Sequence, residues 1–230
     1  MNIFLTGSNG RLGKYIKANI SGHNIIPHYR QWFDLCDKQK IEQNLNNRDI
    51  DVVVHTAAYT NVQQSNNERR KVFEDNILAT VNILNFAWKK DAKFIHISTD
   101  SVFDGKEGPY SINDKVCPVT AYGNSKTACE FFIKLYSRHL IIRTSFFEDF
   151  FPFDCACTDR LTSKDYIDII GPKIIDEIIN NDRYGIIHIG SKAKSYYDLA
   201  VQRKPDVKPI KCLKPGDDTG KDYSFHDNTI

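Results

Sequence analysis

The chain opens with MNIFLTGSNGRLG, residues 1–13, and this stretch decides the predicted fold. Its apolar run, Met1 to Thr6, predicts a short strand that ends in a glycine-rich turn. From Arg11 to Ile20, apolar residues recur at the spacing of a helix. Glycine at positions 7, 10 and 13 permits a tight turn and lets the backbone approach a phosphate at the amino end of that helix. The stretch therefore predicts a strand, a phosphate-binding turn and a helix.

Strand and helix patterns alternate as far as about residue 145. Further strands are predicted at Asn24–Tyr29, Val52–His55, Phe94–Ile97 and Leu140–Ile142, and helices at Asp37–Leu45, Glu68–Lys89 and Ala121–Tyr136. The longest of these helices is predicted from apolar residues roughly four apart, from Phe73 to Trp88. This alternation predicts an α/β protein of the Rossmann type, with a doubly wound parallel sheet. We assign residues 1–145 to this NAD(P)-binding domain.

The pattern is less regular after residue 145. Helices are predicted near Lys164–Ile179 and Tyr196–Arg203, a strand near Gly185–Ile189, and a surface loop from Pro205 onward. We assign residues 146–230 to a small, shortened C-terminal lobe that packs on the first domain and binds the substrate.

The composition argues against several classes of function. A hydrophobic content of 41% suits a globular protein, and the net charge of +2 comes from scattered Lys and Arg that form no basic stripe for nucleic acid. No stretch approaches the ~20 apolar residues of a membrane-spanning helix, and the first residues lack the pattern of a signal peptide. The six cysteines, Cys155 and Cys157 among them, and the seven histidines show no disulfide framework and no metal-ligand spacing. We expect a cytoplasmic protein with no metal, nucleic-acid or membrane partner.

Two further motifs carry chemistry. Tyr122 and Lys126 lie four residues apart at the start of a predicted helix, so both face the same side. An ammonium close to a phenol lowers the pKa of the phenol, which would prepare Tyr122 for proton transfer near neutral pH. Ser98 and Thr99 follow the fourth strand, where their hydroxyls could bind a substrate carbonyl oxygen.

These motifs resemble the extended branch of the short-chain dehydrogenase/reductase superfamily, and within it the dTDP-4-dehydrorhamnose reductases and their relatives. The resemblance is carried by Gly7–Gly13, His55–Val62, Ser98–Gly105 and Tyr122–Lys126, and it extends over residues 1–145. The run Ser-Thr-Asp-x-Val-Phe-Asp-Gly is its most specific part, because sibling epimerases and dehydratases usually differ there.

The resemblance implies a catalytic set of Thr99, Tyr122 and Lys126. Tyr122 would protonate the 4-keto oxygen of the substrate as hydride arrives, Thr99 would polarise that oxygen, and Lys126 would bind the nicotinamide ribose. The implied cofactor contacts are Gly7, Asn9, Gly10, Arg11, Leu12, Arg30, Asp34, Leu35, Ala57, Ala58, Tyr59, Tyr122 and Lys126. The implied substrate contacts are Ser101, Val102, Phe103 and Phe146.

The cofactor depends on the end of the second strand. Pro27-His28-Tyr29-Arg30 contains no acidic residue that would accept the adenosine ribose hydroxyl, and Arg30 could meet a 2′-phosphate instead. NADP(H) is therefore preferred, and NAD(H) is compatible with the pattern.

The implied function is an NADPH-dependent reductase of a dTDP- or UDP-linked 4-keto-6-deoxy sugar, in the biosynthesis of deoxysugars and polysaccharide precursors. The chain departs from the family at Ser101 and Phe146, where relatives carry an aromatic residue and a tryptophan, and it is short between Phe153 and Ser163. Two alternatives stay open, a nucleotide-sugar epimerase and a non-catalytic cofactor-binding regulatory subunit. A homodimer formed through helices on the sheet face is also compatible with the resemblance.

Overall fold

A six-stranded parallel sheet organises the computed structural model, which describes residues 1–180, 182–214 and 220–226. Its strands are β1 Asn2–Thr6, β2 Asn24–Pro27, β3 Val52–His55, β4 Lys93–Thr99, β5 His139–Thr144 and β6 Gly185–Ile189. They lie in the order β6-β5-β4-β3-β1-β2, and every neighbouring pair is parallel. The predicted Rossmann-type sheet is confirmed, and the carboxyl ends of all six strands meet at one edge.

Helices cover both faces of the sheet. The helices of the described residues are α1 Arg11–Asn19, α2 Lys38–Leu45, α3 Arg69–Val72, α4 Ala79–Lys89, α5 Ala121–Ile133, α6 Ile167–Ile179 and α7 Tyr196–Val201, of which α7 packs in the smaller lobe. Alternate strand residues point to opposite faces. Phe4 and Phe94 belong to a buried cluster with α2, α4 and α5, whereas Leu5 and Ile95 belong to one with α1 and α6. Among the described residues, no helix combines the length and the apolar character needed to span a membrane.

The predicted helix Glu68–Lys89 contains a π-helical segment, Phe73–Leu78, between α3 and α4. This wider turn changes which residues face the core, so that Asn76 is buried at 1% exposure. Phe73 and Trp88, on which the helix prediction depended, are instead 53% and 51% exposed. The prediction of a helix is confirmed, but the apolar spacing that led to it does not mark the buried face.

The segment after residue 145 contributes to the main sheet as well as to a smaller lobe. Strand β6 pairs with β5, and α6 packs beside α1, so the sheet extends past the predicted boundary at residue 145. The division into two domains stays a prediction. Short strands build the rest of this segment, at Phe146–Phe147, Cys155–Cys157, Leu161–Thr162, Asp165–Tyr166, Lys194–Ser195, Lys208–Ile210 and Asp222–Tyr223.

The prediction of a surface loop from Pro205 onward was wrong. Lys208–Ile210 pairs with Cys155–Cys157, and Asp222–Tyr223 pairs with Leu161–Thr162. Phe225 is 3% exposed and packs in an apolar cluster near the end of β4. The tail is therefore part of the folded lobe as far as residue 226, except for residues 215–219, which lie outside the described part of the chain.

The cysteines also differ from the prediction, because Cys157 and Cys212 form a disulfide bond. The two lie 55 residues apart in the chain, and the pairing of Cys157 with Ile210 brings them together, with 5.5 Å between their Cα atoms. A bond between residues so distant in sequence depends on the strand pairing, which the spacing of the cysteines does not reveal.

Candidate active site

The glycine-rich turn between β1 and α1 is tightly packed. Gly7 has a φ of +66°, and a Cβ there would lie 2.7 Å from the backbone nitrogen of Ala57. A Cβ on Gly13 would lie 2.2 Å from the carbonyl oxygen of Gly7. Gly10 is the N-cap of α1 and has no side chain to cover the first amides of the helix. The turn therefore presents free N–H groups and the positive end of α1, an arrangement suited to a phosphate.

A cavity of about 510 Å³ runs from this turn along the carboxyl edge of the sheet. It brings together twelve of the predicted site residues, Gly7, Gly10, Arg11, Leu12, Arg30, Asp34, Leu35, Ala57, Ala58, Tyr122, Lys126 and Phe146. Ser98, whose hydroxyl was predicted to bind a substrate carbonyl oxygen, also lines it, and sequence reasoning missed others, including Thr56, Asp75, Phe147 and Lys164. One continuous cavity thus joins the phosphate-binding turn to the Tyr122–Lys126 pair.

The start of α5 brings Tyr122 close to Thr99. The hydroxyl of Thr120 accepts a hydrogen bond from the Gly123 N–H at 3.0 Å and caps the helix. A Cβ on Gly123 would lie 2.3 Å from the carbonyl oxygen of Ser101, so only glycine lets this first turn approach the end of β4. Tyr122 and Thr99 share a side-chain hydrogen bond as a result.

Thr99 ends β4 and caps a 3-10 turn, Asp100–Val102. Its Oγ1 donates to Asp100 Oδ1 at 3.0 Å and accepts from the Ser101 N–H at 3.1 Å. Thr99 is 5% exposed and does not line the cavity itself, but its hydrogen bond to Tyr122 joins it to the residues that do.

Burial controls the ionisation of the Tyr122–Lys126 pair. Burial raises the pKa of Tyr122 to about 12, against the hydrogen bond with Thr99 and together with the negative charge of Asp100. Burial also lowers the pKa of Lys126 to about 8, against the charges of Cys129 and Glu130. The prediction that Tyr122 has a lowered pKa was therefore wrong. Tyr122 keeps its proton at neutral pH, as a proton donor must.

The prediction that Val102 and Phe103 contact the substrate was wrong. Both are 0% exposed and pack with Tyr110 and Phe225, so they offer no surface to a ligand. Their burial depends on Phe225, which lies more than a hundred residues later in the chain. Ser101, beside them, is partly exposed.

Two predicted cofactor contacts lie outside the cavity lining. Asn9 is exposed at the tip of the glycine-rich turn. Tyr59 is held by its backbone, whose N–H donates to Asn76 Oδ1 at 2.7 Å, and its ring lies 5.6 Å from Lys71 Nζ. Asn76 also donates to Ser125 Oγ at 2.8 Å, which links the loop after β3 to α5.

The π-helical segment supplies groups that sequence reasoning missed. Asp75 Oδ1 lies 2.9 Å from Arg30 Nη2, and Asp34 Oδ2 lies 3.2 Å from the same nitrogen. Asp75 and Asn76 form a polar pair inside an otherwise apolar helical pattern. This pair is the sequence signal that could have revealed Asp75 as part of the cavity lining.

Buried polar side chains lie in the sheet close to the cavity. His55 of β3 contacts Thr6 through Nδ1 at 2.8 Å and Thr80 through Nε2 at 2.9 Å, and its ring stacks on His96 with 5.5 Å between centroids. His188 of β6 is 4% exposed. Burial lowers the pKa of His55 and that of His188 to about 3, so both rings are neutral in the folded protein.

This burial predicts that the protein loses stability in mild acid. A histidine whose pKa is lowered by folding stabilises the fold fully above its ordinary pKa of 6.5, and this contribution is lost as the pH falls toward 3. Between pH 6.5 and about pH 5, each such histidine lowers the free energy of unfolding by on the order of 1–2 kcal/mol. We expect His188→Phe to have a visibly flatter dependence on pH than the unmodified chain in urea unfolding. Identical slopes for the two proteins would contradict the neutral burial of His188.

Comparison with known proteins finds relatives of the chain by sequence and by structure. A family model described as RmlD substrate binding domain matches residues 1–149. The spore coat polysaccharide biosynthesis protein SpsK of Bacillus subtilis is 31% identical over 62% of this chain and 52% of its own length. A dTDP-4-dehydrorhamnose reductase of Sinorhizobium fredii is 32% identical over 63% of this chain and 50% of its own length. The chain thus spans about half the length of these curated relatives.

A solved structure extends the similarity to almost the whole chain. The dTDP-4-dehydrorhamnose reductase of Bacillus anthracis, determined in complex with NADP, superimposes with a TM-score of 0.87 at 25% identity. The match covers 99% of this chain and 90% of that one.

Proposed function

The chain belongs to the family described as RmlD substrate binding domain, and from this premise we propose that it is an NADPH-dependent reductase of a nucleotide-linked 4-keto-6-deoxy sugar. The observation that carries the proposal is the continuous cavity, which joins the glycine-rich turn to Tyr122 and Lys126. The names of the relatives favour dTDP or a similar carrier nucleotide and a role in deoxysugar or polysaccharide precursor biosynthesis.

The residues present suit a dinucleotide cofactor. A Cβ on Gly7 or Gly13 would collide with neighbouring backbone atoms, as expected for a turn wound tightly enough to present its amides to a pyrophosphate. The amides of the turn would hold the pyrophosphate, Arg30 and Leu35 would lie at the adenosine end, and Lys126 would bind the nicotinamide ribose. When bound, NADPH supplies the hydride.

Side chains of the protein would donate the proton that completes the reduction and stabilise the charge that remains. Tyr122 would donate it from Oη to the keto oxygen, and its raised pKa ensures that it is protonated beforehand. Thr99, hydrogen-bonded to Tyr122, would polarise the same oxygen. Lys126, buried and charged below a pH of about 8, would stabilise the phenolate that remains.

The outer part of the cavity is proposed to hold the nucleotide-sugar. Phe146 and Phe147 follow β5 there, and Lys164 Nζ lies 4.5 Å from the ring centroid of Phe147. An ammonium between aromatic rings can meet a phosphate or a sugar hydroxyl, while the rings offer flat apolar surface. Ser101 keeps its proposed role as a substrate contact at the end of β4.

We expect turnover to depend on Tyr122. With NADPH and a panel of dTDP- and UDP-linked 4-keto-6-deoxy sugars, Tyr122→Phe should lower kcat by about 100-fold or more, because the proton donor is lost. NADPH binding, measured by fluorescence, should persist. Tyr184→Phe, at the opposite edge of the sheet, is the matched control and should keep full activity.

Other outcomes distinguish the alternative functions. An epimerase would interconvert sugars with no net oxidation of NADPH. A regulatory subunit would bind NADPH and leave every sugar of the panel unchanged, a result that the short stretch between Phe153 and Ser163 would then explain.

The preference for NADP(H) is proposed to depend on Arg30. Its side chain is 65% exposed, and its guanidinium is held between Asp34 and Asp75. A 2′-phosphate could form charge-assisted hydrogen bonds with it. Without Arg30, the two carboxylates would face the ribose directly, which favours the free hydroxyls of NADH.

Arg30→Ala should therefore weaken NADPH binding by about tenfold or more, as expected for loss of a hydrogen bond to a charged group. NADH binding should stay the same or improve. Arg48→Ala, which removes a guanidinium beyond α2, serves as the control. Equal weakening of both cofactors would contradict the proposed role of Arg30.

We also propose that the protein is a homodimer. Trp88, Phe131, Phe132 and Leu135 lie on or beside α4 and α5 with 43–71% of their surface exposed, an apolar patch of the kind that protein interfaces cover. Cytoplasmic location stays a prediction, and the Cys157–Cys212 bond bears on it, because disulfides are rare in reducing compartments.

Sedimentation velocity tests the dimer. We expect the unmodified chain to sediment as a dimer and Leu135→Lys to sediment as a monomer, because a lysine cannot be buried in an apolar interface without a partner. Ile210→Lys changes another exposed apolar residue, outside α4 and α5, and should leave the dimer intact. A monomeric unmodified chain would refute the proposal.

A further inference from the structure

Glu130 lies deep in the protein, on the same face of α5 as the two proposed catalytic residues. It follows Lys126 by four residues and Tyr122 by eight, and successive residues at this spacing share one side of a helix. Its side chain is 2% exposed, as is that of Arg143 on β5. A carboxylate buried to this degree requires partners that satisfy both of its oxygens.

Those partners come from two adjacent strands. Glu130 Oε1 accepts hydrogen bonds from Ser98 Oγ at 2.6 Å and from Arg143 Nε at 3.1 Å, and Oε2 accepts one from Arg143 Nη2 at 2.8 Å. Ser98 and Arg143 are register partners on β4 and β5. Ser98 directly precedes Thr99, so the carboxylate connects α5 to the strand that carries the third proposed catalytic residue.

Arg143 is itself held from two other directions. Its Nη1 lies 3.4 Å from His188 Nε2 on β6, and its guanidinium carbon lies 5.1 Å from the ring centroid of Phe103. Phe103 directly follows the 3-10 turn that Thr99 caps. The guanidinium therefore has little freedom to move, and the carboxylate bound to it in bidentate fashion shares that rigidity.

The negative charge of Glu130 also acts on Lys126. The groups that act on Lys126 are Cys129 and Glu130 from α5, and Lys126 in turn acts on His55 of β3 and His96 of β4. Burial lowers the pKa of both histidines, which leaves them neutral. The negative charge of Glu130 therefore opposes the loss of the Lys126 proton that burial favours.

We infer that Glu130 is a positioning residue, which fixes α5 against Ser98 and Arg143 so that Tyr122 and Lys126 face Thr99, and which keeps Lys126 charged. Its effect on turnover rests on the proposed function. Its effect on the ionisation of Lys126 does not, because that effect needs only the charge of Glu130, one turn along the same helix, and no substrate.

Glu130→Gln, which keeps the shape of the side chain and removes its charge, tests the inference. We expect kcat to fall by about 10- to 100-fold, as for a small misplacement of catalytic groups, with the KM for NADPH little changed. We also expect the amino group of Lys126 to titrate at lower pH than in the unmodified chain. Nitrogen NMR of lysine-labelled protein measures this titration, with Lys126→Met to assign the signal.

Two further variants keep the test decisive. Glu177→Gln removes another fully buried carboxylate, on α6 across the sheet, and should change neither kcat nor the titration of Lys126. If Glu130→Gln does not fold, the double variant Glu130→Gln with Arg143→Met replaces it, because it leaves no unpaired buried charge. The double variant should show the same loss of kcat and a smaller shift of Lys126 in the same direction, because the Arg143 cation is removed as well.

Unchanged kcat together with unchanged titration of Lys126, in a folded variant, would overturn the inference while leaving the proposed reductase intact. If the unmodified chain turns over none of the sugars, the proposed function fails, and the titration of Lys126 alone decides the role of Glu130. A lowered titration supports it, and an unchanged titration refutes it.

Discussion

The parallel direction of the six strands is the constraint on which the rest of the structure depends. Because all the strands run the same way, their last residues converge on one edge, where the chain turns into helices and loops. The glycine-rich turn follows β1, Ala57 follows β3, Thr99 ends β4 and Phe146 follows β5. Residues distant in sequence therefore line a single cavity.

Polar side chains near that edge keep the helices in register with the strands. Thr6, His55 and His96 lie side by side on β1, β3 and β4, and Ser98, Arg143 and His188 do so on β4, β5 and β6. Five of the six form hydrogen bonds, as buried polar groups generally do, and the His96 ring stacks on His55. Hydrogen bonds have a preferred direction, which apolar contacts lack. The bonds from Ser98 and Arg143 to Glu130 therefore fix the position of α5 closely.

The sequence was sufficient to predict whatever depended on local pattern. The strands Val52–His55 and Gly185–Ile189 have the predicted bounds, and the glycine-rich turn and Tyr122–Lys126 lie on one cavity. Features that depend on distant contacts could not be predicted. Val102 and Phe103 are buried by the tail, and Cys157 meets Cys212 through a strand pair. The raised pKa of Tyr122 reflects burial, which the spacing of Tyr122 and Lys126 does not reveal.

Transfer of isotope from cofactor to sugar is the measurement that we would make first. NADPH carrying deuterium at the reactive C4 position would be incubated with a dTDP-linked 4-keto-6-deoxy sugar, and the product examined by mass spectrometry and NMR. We expect deuterium on C4 of the reduced sugar, formed in step with oxidised cofactor. A product without deuterium, or labelled NADPH that binds and stays reduced across the panel of sugars, would contradict a reductase.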